Sequence, residues 1–553
     1  MLGRVCPACR EYPGSLGQAQ NLYCGMEQRG HSKCSYSNSI YSTDMGASVE
    51  RPADLYDRTL EWADLVSFSS SKVPGLRVAV VSGRRRMGKS FLLRRLTDGV
   101  GGFYHQAQEV GRAQALARFG ADVAQRMGLP SGTLRFEDWE TALRTALGLP
   151  ERGSSTVPKS VPSGRLRLVV LDELPYLLTH SRELPSVLQD LYDESRQHTW
   201  YPSAGVVVCG SALSVMSELL SGQNPLRGRA QIDMTVAPFD YLDSAGFWQV
   251  DDPELAFHLD AIFGGTPGYR ALIESPPPSS LRGLPAWLGR SVLNPSHALF
   301  TETDYLLRED PTIRSKEAFN SILTAVAAGH RTQKAIGGAV GRDHNQLRHP
   351  LEVLVRSGFL VQHEDLLTTR RPWYTLADPI VRFEELITSP CRVLLEERDA
   401  KAAWEQSAQT FSSNILGPHF EHVCRRWTAH YASGLFGPEV GEVGAAVVHD
   451  ASGKSRHELD VVALRRGRRR KNTSARVAVL GEAKSTNHAR TVRDLQRLDR
   501  IGELLTKRGF DLSTVQLALF SREGFDRKLV SEAKKRSDVH LVDLAELYRR
   551  PPS

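Results

Sequence analysis

The segment GRRRMGKS (83–90) constrains this chain more than any other stretch. It meets the pattern G-x-x-x-x-G-K-[ST] at every fixed position, with the apolar run RVAVVSG leading into it and FLLRRL following. A buried strand, a glycine turn and a helix start bring successive backbone N–H groups to one concave surface. The helix N-terminus adds positive potential there. Gly83 and Gly88 permit the bend, and Arg84, Arg85, Arg86 and Met87 supply the amides between them. Lys89 is placed to reach β- and γ-phosphates, and the Ser90 hydroxyl to ligate a magnesium ion. ATP with Mg²⁺ is therefore the expected cofactor.

A second apolar run, RLRLVVLDE, ends in Asp172 and Glu173. In open α/β sheets ligands bind outside the carboxyl ends of the strands. Asp172 is expected to hold Mg²⁺ and Glu173 to activate the attacking water. Alone, such an acid pair reads as a helix cap; behind a phosphate loop it reads as catalytic. A third run, AGVVVCGSA, ends at Ser211, either a γ-phosphate sensor or a turn serine. Arg227 and Arg229 in PLRGR are candidates for a γ-phosphate or inter-subunit contact, so self-assembly is an open expectation. Strands alternating with helices predict a parallel α/β sheet.

With 553 residues the chain has room for about three to four domains of roughly 150 residues. No apolar run is long enough to span a membrane, and the start lacks the apolar core of a signal peptide. A cytoplasmic, reducing location is expected. The net charge of +7 tilts toward a nucleic-acid partner without deciding for one. Four of the seven cysteines, Cys6, Cys9, Cys24 and Cys34, fall in the first 34 residues. With His31 as a spare ligand they could close a Zn²⁺ site, although the Cys24–Cys34 spacing is wider than usual. The other reading is an unstructured leader over 1–49, or a true start at Met45.

The ordered set VERPADL, GRRRMGKS, LVVLDELPYL, VVVCGSALSVM, NPLRGRA and GGTPGYR resembles the archaeal-type ATPases of the STAND branch of AAA+ proteins. The resemblance implies an ATPase core over 50–240, a helical lid over 241–315 and a winged helix over 316–385. It places Arg51 near the adenine. It also gives the lid a G-x-P element, Gly265 and Pro267, whose proline registers the nucleotide. The cysteine-bearing leader is not part of the family pattern.

Residues 318–378 show three short helical periods and then two strand candidates, the pattern of a helix-turn-helix with a wing. The third helix is expected to carry Arg342, His344, Asn345, Gln346 and Arg348, with Arg370 and Arg371 on the wing. These residue types suit phosphates and base edges, which makes DNA the expected partner; packing on the ATPase is the alternative role.

Over 386–553 a helix bearing Glu421 precedes a strand with Asp460 and a strand with Glu482 and Lys484. An offset of two in a strand puts Glu482 and Lys484 on one face. Asp460 and Glu482 could share a Mg²⁺ while Lys484 meets the scissile phosphate or the attacking water and Glu421 helps orient the metal or water. The order helix-Glu, strand-Asp, strand-E-x-K resembles the PD-(D/E)xK nuclease fold, with Leu459 where the motif name has proline. That resemblance implies a restriction-endonuclease-like α/β domain with Glu421, Asp460, Glu482 and Lys484 as its catalytic set. The alternative is a non-catalytic docking domain. The run RRGRRRK (465–471) between the two strands is a solvated turn or a contact to a nucleic-acid backbone.

Overall fold

The computed structural model describes residues 49–550, apart from 154–166, 199, 314, 369–371, 451–452, 454, 468–475 and 487. The candidate zinc ligands, Arg370, Arg371 and most of the arginine run after Gly467 therefore lie outside the described residues.

Five parallel strands form the first sheet: β1 (Leu76–Ser82), β2 (Phe103–Gln106), β3 (Leu168–Asp172), β4 (Ala204–Gly210) and β5 (Ala230–Thr235). Their order is β2-β3-β4-β1-β5, so β4 lies between the phosphate-loop strand β1 and the acid-bearing strand β3. Strands β1, β3 and β4 are buried throughout because helices cover both faces. Alternate residues divide between two cores. Val78 and Val80 of β1 join a cluster with Phe119 and Trp139, whereas Ala79 and Val81 join one with Trp62 and Leu65. The edge strand β5 alternates exposed and half-buried residues over most of its length, which is why its sequence gives no apolar run.

Helices fill most of residues 241–309, and the helix Pro267–Leu272 begins at the G-x-P element. Gly265 in that element touches the Phe239 backbone so closely that an added Cβ would overlap it. Helices Lys316–Ala327, Gln333–Val340 and Arg348–Arg356 precede an antiparallel ribbon of β6 (Leu360–His363) and β7 (Trp373–Leu376). The polar residues expected on the third helix mostly come before it. Arg342 sits in the preceding loop, His344 to Leu347 form a 3-10 turn capped by Asp343, and Arg348 opens the helix. The chain takes that turn because the Asp343 side chain accepts from the Asn345 amide and ends the preceding loop locally.

After the helix Gly417–His430 comes a second five-stranded sheet: β8 (Val440–Asp450), β9 (Ser455–Arg465), β10 (Val477–Lys484), β11 (Gln516–Ser521) and β12 (Val539–Asp543). Strands β8, β9 and β10 are antiparallel, and β10, β11 and β12 parallel. The two faces are again set by alternation. Val461 and Ala463 pack toward Phe420 and Trp427, whereas Val462 and Leu464 pack toward Leu495 and Leu498 of the helix Val492–Lys507. One apolar core runs from Tyr241 to Leu547, and the Tyr241 hydroxyl donates to the Leu547 carbonyl at 2.7 Å.

Glu384 is buried in this core, where its carboxylate accepts the Thr303 amide and hydroxyl, each at 2.8 Å. Burial pushes its carboxyl up to about 7, from an ordinary value of 4.5. The folded state then holds the proton more tightly than the unfolded state does. Stability from this group is fully present below pH 4.5 and is lost as pH rises through about 7. Glu384→Gln is expected to flatten that part of the stability–pH curve, as read by urea unfolding at several pH values. A variant curve with the same slope as the parent would remove the assignment.

Candidate functional site

The phosphate loop leaves β1 at Gly83 and enters the helix Lys89–Val100. Gly83 has φ 151°, and a Cβ there would lie 2.6 Å from the Val236 carbonyl oxygen. Only glycine lets the loop turn against β5's continuation at that point. Gly88 is also left-handed, with φ 85°, and directly precedes the first helical turn. Lys89 is buried and donates to the Arg84 carbonyl at 2.9 Å, so its ammonium lies inside the loop. The Ser90 hydroxyl donates to Asp172 Oδ2 at 2.6 Å, joining the helix start to the end of β3. The Tyr104 hydroxyl, from β2, donates to the same oxygen, and Asp172 is fully buried.

Glu173 has a left-handed backbone, φ 53° and ψ 46°. For a non-glycine residue that conformation costs about 1 kcal/mol or more, so packing must hold it. Its carboxylate accepts the Ser211 hydroxyl at 2.9 Å and the Ser211 amide at 3.3 Å. Asp172, Glu173 and Ser211 are thus brought together at the strand ends, beside Lys89 and Ser90. Burial and the Asp172 carboxylate push the Cys209 thiol well above its ordinary range.

The loop's three arginines all reach out of the core. Arg84 pairs with Asp378 at 3.0 Å and lies over the Phe359 ring. Arg85 pairs with Glu309. Arg86 holds both oxygens of the buried Glu302, at 2.6 and 2.8 Å. The Gly268 amide donates to the Arg86 carbonyl at 3.0 Å, and Pro267 stands beside Gly88. The G-x-P element therefore touches the phosphate loop directly.

Other sequence candidates lie elsewhere. Arg229 is held by both oxygens of Asp193, at 2.8 and 2.7 Å, and Arg227 by the Gly222 carbonyl. Arg51 folds onto the carbonyls of Leu55 and Asp57 in its own segment. It is Arg58 that reaches the loop, donating to the Met87 carbonyl at 3.3 Å and the Ala237 carbonyl at 2.6 Å. Sequence reasoning missed Arg58 and Tyr104. Neither belongs to a spaced motif, and both meet the loop only through tertiary packing.

In the second sheet, Asp460 accepts the Ala483 amide at 2.9 Å. Burial and then the Glu421 carboxylate push Asp460 up to about 6, against the opposing Lys484 ammonium. Glu421, Asp460, Glu482 and Lys484 therefore share one neighbourhood. Glu482 is almost fully buried, and its Oε1 is approached by Arg497 at 2.9 Å, Arg490 at 3.2 Å and Lys484 at 3.5 Å. A divalent cation at that oxygen would have to displace or repel three charges of its own sign. The other oxygen, Oε2, is buried and has no hydrogen-bond partner among the described residues, so the expected Mg²⁺ would have to approach Glu482 there. Among the described residues no group of three His, Cys, Asp or Glu side chains could hold a metal ion. No described helix is long and apolar enough to cross a membrane.

Sheet and loop together define an α/β chain with a strand–phosphate-loop–helix unit and an acid at the end of the strand two places away. No protein-family model matches the chain, and no curated protein matches it. Among solved structures it is similar to the Walker-type ATPase PABY2304 of Pyrococcus abyssi, at 18% identity and TM-score 0.44, covering 62% of this chain and 99% of that one. It is also similar to the ORC2 protein of Aeropyrum pernix, at 14% identity and TM-score 0.37, covering 64% and 96%. A third is the RuvB Holliday junction branch migration motor of Thermotoga maritima, at 15% identity and TM-score 0.28, covering 57% and 90%.

Proposed function

We propose that this chain is an ATP-hydrolysing switch of the AAA+/STAND kind that acts on DNA. The observation that carries the reading is the Ser90–Asp172 hydrogen bond of 2.6 Å between the phosphate-loop helix and the end of β3. A hydroxyl and a carboxylate this close together support a magnesium ion shared between them, as nucleotide sites of this design require. The Gly83 and Gly88 conformations, the helix start at Lys89 and the interior position of its ammonium fit a triphosphate. A bound Mg²⁺·ATP would supply the phosphoryl group and neutralise its charge. Ser90 and Asp172 would hold the ion, Lys89 would face the phosphates, and Glu173 would orient and deprotonate the attacking water. Ser211 fixes Glu173 before nucleotide arrives.

Glu173→Gln tests the assignment of the base. Phosphate release is expected to fall by about 10²-fold or more while ATP binding is retained. Unchanged turnover in that variant would remove Glu173 from the role.

DNA enters through the exposed Arg342, Asn345, Gln346 and Arg348 beside the β6–β7 ribbon. Binding that weakens steeply with salt is the expected signature. For residues 386–553 the ion pairs around Glu482 favour a docking role. The second reading, metal-dependent cleavage, is favoured by the convergence of Glu421, Asp460, Glu482 and Lys484. Incubating the full chain with DNA and Mg²⁺ or Mn²⁺ separates the two. Cleavage that disappears in Lys484→Ala establishes a nuclease, and intact DNA with salt-dependent binding establishes docking.

A further inference from the structure

A cavity of about 440 Å³ lies where the end of the first sheet, the G-x-P element, the β6–β7 ribbon and the helix Gly417–His430 meet. Arg84 and Met87 of the phosphate loop line one side of it, whereas Lys89, Ser90 and Asp172 do not. Its volume falls within the range of about 300–1,000 Å³ usual for small-molecule sites.

Three guanidinium groups converge on this space: Arg331 ahead of the helix Gln333–Val340, Arg382 just after β7, and Arg425 on the helix Gly417–His430. The carboxylates in the wall are largely committed to other partners. Asp378 takes Arg84 at 3.0 Å and the Tyr269 hydroxyl at 2.8 Å. Asp240 takes Arg426 at 2.7 Å, and Asp260 lies 3.0 Å from His419. Glu421 comes within 3.8 Å of Arg425, which also donates to the Asp460 carbonyl at 2.8 Å. Among the described residues, no ion pair joins Arg331 or Arg382 to a carboxylate. Burial and then the neighbouring Arg331 push Arg382 down to about 10, against the Asp378 and Glu421 carboxylates, and Arg382 donates to the Leu376 carbonyl at 3.4 Å. Burial lowers Arg425 as well, and Arg331 adds to that despite the opposing carboxylates. His363 beside them is pushed down to about 4, first by burial and then by Arg425 and Arg331, so it is neutral at pH 7. Three partly desolvated cations crowding one space raise the energy of the fold. An anion between them converts that repulsion into charge-assisted hydrogen bonds. Met87, Phe239 and Pro379 give the same cavity an apolar side.

We propose that this cavity binds a phosphorylated small molecule of nucleotide size, its phosphate held by Arg331, Arg382 and Arg425, at a site that borders the phosphate loop through Arg84 and Met87 but leaves out Lys89 and Ser90. The ligand would touch the first sheet, the G-x-P element, the ribbon and the C-terminal helix at once, and so would hold those parts together by mass action. Its phosphate could belong to a free nucleotide or to the 5′ end of a nucleic-acid strand; the chemistry recognised is the same.

The test uses the full chain carrying Lys89→Ala, with AMP, the 5′-phosphorylated dinucleotide pApA and unphosphorylated adenosine as probes in calorimetric titration. AMP or pApA is expected to bind and adenosine not to. Arg331→Ala and Arg382→Gln are each expected to weaken binding at least about tenfold. Arg331→Lys should recover part of the loss. Binding of both phosphorylated probes identifies a free-nucleotide site, and binding of pApA alone identifies a strand-end site; either supports the proposal. No binding of AMP or pApA up to about 1 mM overturns it. Binding that is unchanged in Arg331→Ala also overturns it, and this variant decides the matter if Arg382→Gln does not fold.

Discussion

Lys89→Ala is expected to lower the proposed ATP turnover by about 10²–10³-fold, the loss that follows when one preorganised charge is removed from a phosphoryl-transfer site. Its ammonium sits inside the loop, on the Arg84 carbonyl, and is buried. In a water-poor site a positive charge interacts far more strongly with developing negative charge than it does in bulk solvent. On the proposed reading the variant is also expected to lose affinity for the β- and γ-phosphates, so the fall should be larger in kcat/KM than in kcat. Steady-state phosphate release by the purified chain, wild type against variant, reads the effect directly. Turnover within about twofold of wild type would end the case for hydrolysis at this loop.

Glu302→Ala destabilises the fold by about 3–5 kcal/mol, the usual cost of leaving a buried charge without its partner. Glu302 has no exposed surface, and both of its oxygens accept from Arg86 at 2.6 and 2.8 Å. Burial pushes its carboxyl up, and the Arg86 guanidinium pulls against that shift. Arg86 itself has φ 68°, a left-handed conformation in which the loop is held partly by this contact. Removing the carboxylate therefore strands a guanidinium and loosens the loop together. Glu302→Gln keeps the shape and part of the hydrogen bonding, and should lose less. Urea unfolding midpoints for the two variants check the order. A loss below about 1 kcal/mol in Glu302→Ala would show that water replaces the carboxylate at no great cost.

The phosphate loop was legible in the sequence because its requirements are local. Two glycines, a lysine and a hydroxyl at fixed spacing need only the strand before and the helix after them. Asp172 was legible for a similar reason, as the end of a run buried on both faces. Strands β2 and β5 gave no such signal: β2 is four residues long, and β5 is mostly half-exposed. The fate of individual arginines was not legible either. Nothing in PLRGR says that Arg229 will fold onto Asp193, 36 positions earlier, rather than face a nucleotide. In the second sheet the order Glu421, Asp460, Glu482, Lys484 could be read, and the four do gather. The arginines that clasp Glu482 could not be read, because Arg490 and Arg497 reach it only once the helix Val492–Lys507 has docked. Short-range spacing specifies backbone shape, whereas ion-pair choice is settled by which distant segments arrive alongside.

The loop's variable positions are fastened to Asp378, Glu309 and Glu302, all beyond residue 300. A fragment cut after the first sheet would keep the whole phosphate loop and the strand-end acids yet carry three orphaned guanidinium groups on its most delicate turn. The smallest autonomous piece of this machine is thus larger than its motif-bearing portion. Truncation series that stop near residue 240 will report the behaviour of an unclasped loop rather than of the intact device.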